Sequence, residues 1–277
     1  MGNLAEPSID EVKTALIAQP GKRFRIADRP GRHPDLFDDK KHAEASLTED
    51  AAAIDELQDK LYADRTRALL VVLQGMDTSG KSGVIRKVFA MTSPLGMQVE
   101  AFKAPSKTEL AHDYLWRIHE AVPRKGRIGI FDRSHYEDVL VVKVRGFAPA
   151  EAIEQRYDQI NAFEKHLTEN GIKILKFMLN VSYERQGERL AERLEEPHKR
   201  WKFNPGDLED RKLWPDFMAA YETAVQRCST PHAPWYIVPA DSRTRRNAMI
   251  ARIVRGALED MDLIYPDPGI RPGDFEI

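Results

Sequence analysis

The chain has 277 residues, 42% hydrophobic and 31% charged, a balance that excludes collagen-like, disordered and disulfide-scaffold proteins and suggests one or two domains. Lys and Arg number 42 against 44 Asp and Glu, a net charge of −2, so composition alone announces no polyanionic partner and no nucleic acid is expected. The longest apolar runs, such as Ala68–Leu73, fall far short of the roughly 20 residues that span a bilayer, so no membrane is expected either.

Met1–Asp10 lacks the basic and apolar regions of a secretory leader, and Glu6 stands where a myristoylation signal needs Ser or Thr. Cys228 is the only cysteine, which rules out an intrachain disulfide and fits a cytoplasmic protein. Residues 1–45, punctuated by Pro20-Gly21, Pro30-Gly31 and Pro34 and basic from Lys22 to Arg32, read as an N-terminal arm lying over the main body. Residues 46–277 read as one domain. Ser46 and Glu49 have capping-box spacing and should open a helix to about Asp64, with Ile54, Leu57 and Leu61 on one face.

Five short apolar runs follow, at Ala68–Gln74, Gln98–Phe102, Ile128–Phe131, Ile172–Leu179 and Trp235–Val238. Helical patterns separate them at Lys81–Met91, Ser106–Val122 and Pro149–Asn170, and a last helix spans Ser242 to about Met261. This alternation predicts an α/β protein: a central parallel five-stranded sheet in a three-layer α/β/α domain, with its ligand at the carboxyl ends of the strands. Ser182–Cys228 is too long for a plain crossover. It carries Arg185, Arg189 and Arg193 on one helical face, then the basic cluster Lys199-Arg200-Trp201-Lys202, then Pro205-Gly206-Asp207. Two readings stand side by side: a helical lid at about 182–215, or a surface helix laced by pairs such as Arg185 with Glu188.

Gly75-Met76-Asp77-Thr78-Ser79-Gly80-Lys81-Ser82 satisfies G-x-x-x-x-G-K-[ST], between an apolar strand and a helix. Successive backbone N–H groups of Gly75, Thr78, Ser79 and Gly80 would face a phosphate, Lys81 would reach the transferring phosphoryl, and the Ser82 hydroxyl would ligate Mg²⁺. Asp77 is unusual there, since a carboxylate beside a phosphate cradle needs a cation between them. Ile128–Phe131 ends in Asp132, a strand-end carboxylate suited to Mg²⁺, followed by the planar donor fork of Arg133. Glu137 and Asp138 open the next segment, as nucleotide-facing groups or as helix-start carboxylates. From Lys81 to Arg145 there are 12 basic and 7 acidic residues, a surplus that lets a near-neutral chain carry a basic groove.

Taken together, GMDTSGKSG, FKAP, RSHYEDV and the segment from SYERQGERLAERL to HKRWKFNPGDLEDRKLW resemble the second family of polyphosphate kinases over about residues 45–260. The resemblance implies a P-loop kinase fold and Mg-dependent phosphoryl transfer between inorganic polyphosphate and AMP, ADP or ATP. Asp77 and Asp132 fall on its metal and catalytic carboxylates, and Lys81 and Arg133 on the residues that grip the phosphoryl group. Arg189 and Arg193 fall on lid arginines, with Lys199 and Lys202 as further polyphosphate contacts. SHYEDV matches the class III branch, which accepts both AMP and ADP. Asp132 stands where that branch has Asn, and Arg243 where Lys is expected, which leaves the acceptor preference open. The family forms tetramers or dimers, so a homo-oligomer is expected. The rivals are an ATP-dependent nucleotide kinase and a non-catalytic nucleotide-binding switch. No Asn is followed by Lys, as a guanine-binding N-K-x-D motif requires, and LSGGQ is absent.

Overall fold

A computed structural model describes residues 6–32, 36–37, 39–271 and 274–275; Met1 and Gly2, like the rest of 1–5, 33–35 and 38 in the N-terminal segment, lie outside the described residues. The chain begins with α1 (Ile9–Leu16), β1 (Ile17–Ala18), α2 (Lys40–Asp64), β2 (Ala68–Gln74), α3 (Lys81–Val88) and β3 (Met97–Ala101). Then come α4 (Lys107–Leu110), α5 (Trp116–Ala121), β4 (Ile128–Asp132), α6 (Val141–Val144), α7 (Ala150–Glu169) and β5 (Ile172–Asn180). The last third holds α8 (Tyr183–Glu195), α9 (Gly206–Lys212), α10 (Trp214–Cys228), β6 (Trp235–Pro239) and α11 (Arg243–Glu259).

The sheet order is β1-β6-β5-β2-β4-β3, and the five strands β2 to β6 run parallel. The expected five-strand sheet is therefore present, with a two-residue sixth strand added: Ile17 and Ala18 pair antiparallel with Tyr236 and Trp235. The N-terminal segment is thus stitched to the sheet edge, and its Val12, Leu16, Phe24, Leu36 and Phe37 are buried. Every residue of β2 is buried, as expected of a parallel strand covered on both faces by helices. Among the described residues no helix is long and apolar enough to cross a membrane.

Two local expectations fail. The second helix starts at Lys40, where Asp39 accepts from the His42 N–H at 2.8 Å. Ser46 lies inside that helix, fully buried, and accepts from Arg252 of α11 at 2.6 Å, so its role is tertiary and not a cap. The continuous helix expected over Ser106–Val122 is two short ones. Asp113 turns the chain between them by accepting from the Leu115 N–H at 2.9 Å.

Beneath the strand ends lies a buried polar cluster. Lys176 of β5 is 0% exposed and donates to the Tyr136 hydroxyl (2.7 Å), Glu164 Oε2 (2.5 Å) and the Cys228 carbonyl (2.7 Å). Tyr136 in turn donates to Glu164 Oε1 at 2.8 Å, and His135 Nε2 lies 3.2 Å from the same oxygen. Burial alone would raise the Glu164 pKa, but the ammonium of Lys176, with His135, holds it below the ordinary carboxylate range. This cluster fixes the turn 134–138 that follows β4.

Candidate active site

The central strand β2 delivers the chain to a tight loop, residues 75–80, whose shape only glycine permits at two points. Gly75 has φ +149°, and a Cβ there would meet the Leu179 carbonyl at 2.8 Å; at Gly80, φ +103°, it would strike Arg246 Nη1 at 2.0 Å. Lys81 opens α3 and folds back to donate to the Gly75 carbonyl at 2.8 Å. Burial lowers its pKa while the Asp77 carboxylate opposes the shift. Thr78 Oγ1 and Ser79 Oγ are buried without partners among the described residues, leaving two hydroxyls of the loop uncommitted.

Strand register brings the second motif alongside. Leu73 of β2 pairs with Asp132 of β4, which places that carboxylate at the mouth of the loop. Ser82 Oγ donates to Asp132 Oδ2 at 3.2 Å. Arg133, held at φ +67°, donates from Nη2 to Asp77 Oδ1 at 2.7 Å. A non-glycine residue at positive φ is strained, and here the strain aims the guanidinium back over the loop. Burial would raise Asp77, yet Lys81, Arg133 and Arg193 together hold its pKa below the usual range. Glu137 goes the other way: burial pushes it up against the pull of Arg133 and Lys81. With its amide nitrogen turned toward it, Gln74 donates to Glu137 Oε1 at 2.9 Å. Asp138 is raised by burial and accepts from Arg156 at 3.3 Å.

Beside these groups opens a cavity of about 290 Å³, lined by Gly75–Asp77, Arg133, Glu137 and Asp138 on one side. Phe102, Pro105, Phe147 and Phe217 supply an apolar wall, with Lys103 and Arg117 at its polar end. Its mixture of aromatic surface and few convergent charges suits a nucleotide-sized ligand.

The arginines of the 182–228 segment separate into different roles. Arg193 donates to Asp207 Oδ2 at 3.0 Å and reaches toward Asp77, so it joins the site. Arg189 does not present its guanidinium to the mouth of the loop. It is 3% exposed, and its terminal nitrogens bond the carbonyls of Thr78 (2.9 Å), Ala240 (2.7 Å) and Asp241 (2.9 Å). The expected phosphate ligand is here a clamp on the loop backbone. Lys199 pairs with Glu196 at 2.6 Å, and Lys202 lies 5.0 Å from the ring centre of the exposed Trp201, so neither is drawn into the loop. Arg185 pairs with Glu188 and Glu192, as the surface-helix reading predicts for that one position.

Three site residues escape a motif-based reading. Asp207, the first acidic residue of α9, faces Asp77; burial and that like charge push it up to about 6. Tyr221 is buried close to Gly75, Glu137 and Arg133. Arg246 of α11 is 2% exposed and donates to the Ser79 carbonyl at 2.7 Å. Burial and the neighbouring Arg189 and Arg243 lower its pKa to about 9. The basic periodicity Arg243, Arg245, Arg246 at the start of an apolar helix was the only sequence signal for it.

Comparison with known proteins identifies the family. The profile of the family described as Polyphosphate kinase 2 matches residues 37–266. An AMP/ADP-polyphosphate phosphotransferase of Meiothermus ruber is 45% identical over 90% of this chain and 94% of its own. An ADP-polyphosphate phosphotransferase of Rhodopseudomonas palustris is 38% identical over 89% and 90% of the two chains. The crystal structure of Polyphosphate Kinase 2 from Arthrobacter aurescens superposes with a TM-score of 0.90 at 39% identity, covering 98% of this chain and 94% of that one.

Proposed function

The chain belongs to the Polyphosphate kinase 2 family and transfers phosphoryl groups between polyphosphate and nucleotides; from that premise we propose that Asp77, Lys81, Asp132 and Arg133 carry the reaction and that AMP and ADP are both acceptors. The observation that carries the site assignment is the convergence on one loop of the Arg133–Asp77 pair at 2.7 Å and the Ser82–Asp132 pair at 3.2 Å. The loop N–H groups, Lys81 and Arg133 hold the transferring phosphoryl group. Asp77 keeps Arg133 oriented, and Arg193, bonded to Asp207, adds its positive charge near Asp77. Such transfer asks the protein for positioning and charge stabilisation more than for covalent chemistry.

The oxygen donors Ser82 Oγ, Asp132 and Asp77 suit a hard divalent cation, which we take to be Mg²⁺. When bound, it neutralises charge between donor and acceptor phosphates. The nucleotide occupies the 290 Å³ cavity, with Glu137 and Asp138 along its wall. Residues 46–277 form the kinase domain with 182–215 as its lid, on which Lys199 and Lys202 meet the polyphosphate chain and Arg189 braces the loop from behind. We further infer a cytoplasmic homo-oligomer, dimer or tetramer; a monomeric mass by light scattering would refute the assembly.

Acceptance of both nucleotides rests on the SHYEDV segment and on the Meiothermus ruber relative, whose name carries both. The test is ATP formation by purified protein with long-chain polyphosphate and Mg²⁺, given AMP alone and then ADP alone, with no ATP added. Product from both is expected, with chelation abolishing it and Mg²⁺ restoring it. Product from ADP alone would confine the enzyme to diphosphates.

A further inference from the structure

The rim of the nucleotide cavity is built from two segments far apart in sequence. Val141, Val142 and Phe147 wall it from α6 and the turn that follows, and Asp210 of α9 walls it with Phe217 and Tyr221 of α10. The α6 end is a Schellman turn: the Phe147 N–H donates to the Val142 carbonyl at 2.9 Å and the Gly146 N–H to the Lys143 carbonyl at 3.3 Å, with Gly146 at φ +67°. That turn fixes the backbone of Phe147 while 72% of the residue stays exposed, so an apolar ring stands at the cavity rim. Two residues before it, Arg145 Nη2 donates to Asp210 Oδ1, a partly buried ion pair that runs from the α6 turn to α9 of the lid. Arg211, next along α9, donates to the Tyr183 carbonyl at 2.6 Å and to Gln186 Oε1 at 2.7 Å. Helix α9 is thereby fastened to α8 within the lid and to the cavity rim outside it.

We propose that the Arg145–Asp210 pair is a strap across this rim, which holds Phe147 against bound nucleotide and slows its release. The inference deepens the placement of the nucleotide in this cavity and rests on it. A ring carried on a fixed backbone covers a flat apolar ligand face at small entropic cost, and the strap keeps the two walls together while it does so. The phosphates are held at the loop whatever happens at the rim, so the strap acts on residence time more than on the transfer step. Asp210 separates this reading from a plain charge effect. It is an acidic group on the wall of an anion's site, so by charge alone its neutralisation tightens ADP binding, whereas neutralising Arg145 weakens it. A strap predicts the same loss from either end.

The experiment measures the off-rate of mant-ADP by stopped-flow chase and the Kd of unlabelled ADP by calorimetry, with Mg²⁺ and without polyphosphate. Arg145→Gln, Asp210→Asn and their double variant are compared with the wild type and with the charge-keeping Arg145→Lys. Each single neutralisation is expected to speed release and raise Kd about threefold, the scale of a partly exposed ion pair. The double variant is no worse than either single one, and Arg145→Lys stays within about twofold of wild type. In a Phe147→Ala background neither neutralisation has a further effect. KM for polyphosphate at saturating ADP and Tm stay close to wild type, which a general loosening of the lid would not allow. Unchanged or slower release from Asp210→Asn, or losses that add in the double variant, would overturn the strap. Val142→Trp fills the cavity; a folded Val142→Trp protein that binds ADP as the wild type does would instead place the nucleotide elsewhere, a failure of the underlying reading distinct from those.

Discussion

The floor of the phosphate loop and the turn at residues 196–204 are both rich in cations, yet they use them in opposite ways. Under the loop, Arg189 and Arg246 are buried, and their donors go to backbone carbonyls of Thr78, Ser79, Ala240 and Asp241. On the turn, Lys199 is neutralised by Glu196, Lys202 stacks near Trp201, and Arg200 donates to the Leu194 carbonyl in the open. A guanidinium held in place by packing and by backbone carbonyls is preorganised and needs little rearrangement when an anion arrives. Charge paired with its own neighbours must first give up those partners. On the proposed assignment, the floor should matter more to the chemistry than the turn.

Substitutions break this comparison in graded steps. Asp77→Ala removes the partner of Arg133 and should lower kcat by at least about 10³-fold, with circular dichroism and Tm close to wild type. Glu164→Gln should leave Lys176 buried without its carboxylate and cost about 3–5 kcal/mol in denaturant unfolding. Because the folded Glu164 pKa is lowered, its contribution is fully present above the unfolded value near 4.5 and is lost as pH falls through the folded one. The variant should accordingly show a flatter acid limb. Arg246→Gln should cost about 1–3 kcal/mol of stability, because Ser79 loses a buried donor, and should lower kcat alongside. Lys199→Gln/Lys202→Gln should change KM for polyphosphate by no more than about threefold, in keeping with the Lys199–Glu196 pair and the exposure of Lys202. A larger effect on the turn than on the floor, measured under identical salt, would reverse the ranking.

Much of the candidate site was legible because its first half is local in sequence. Gly75–Ser82 and Ile128–Arg133 each carry their chemistry within eight residues, and strand pairing of Leu73 with Asp132 does the rest. The five parallel strands were legible for the same reason, as short apolar runs between helical ones. Arg246, Asp207 and Tyr221 were not, because they reach the loop only through packing of helices far along the chain. Ser46 misled in the opposite direction: its local spacing imitates a cap, while Asp39 upstream and Arg252 across the fold decide its role. Lys176, alone among apolar neighbours in a buried strand, was a readable sign of a buried partner, and Glu164 is that partner.

The most direct test is Lys81→Ala assayed for polyphosphate-dependent ATP formation from ADP, with circular dichroism and Tm recorded on the same preparation. Lys81 is buried at the loop and bonded to the Gly75 carbonyl. The expected result is a folded protein with no measurable transfer. Wild-type turnover from that folded protein would contradict the assignment of phosphoryl transfer to this loop.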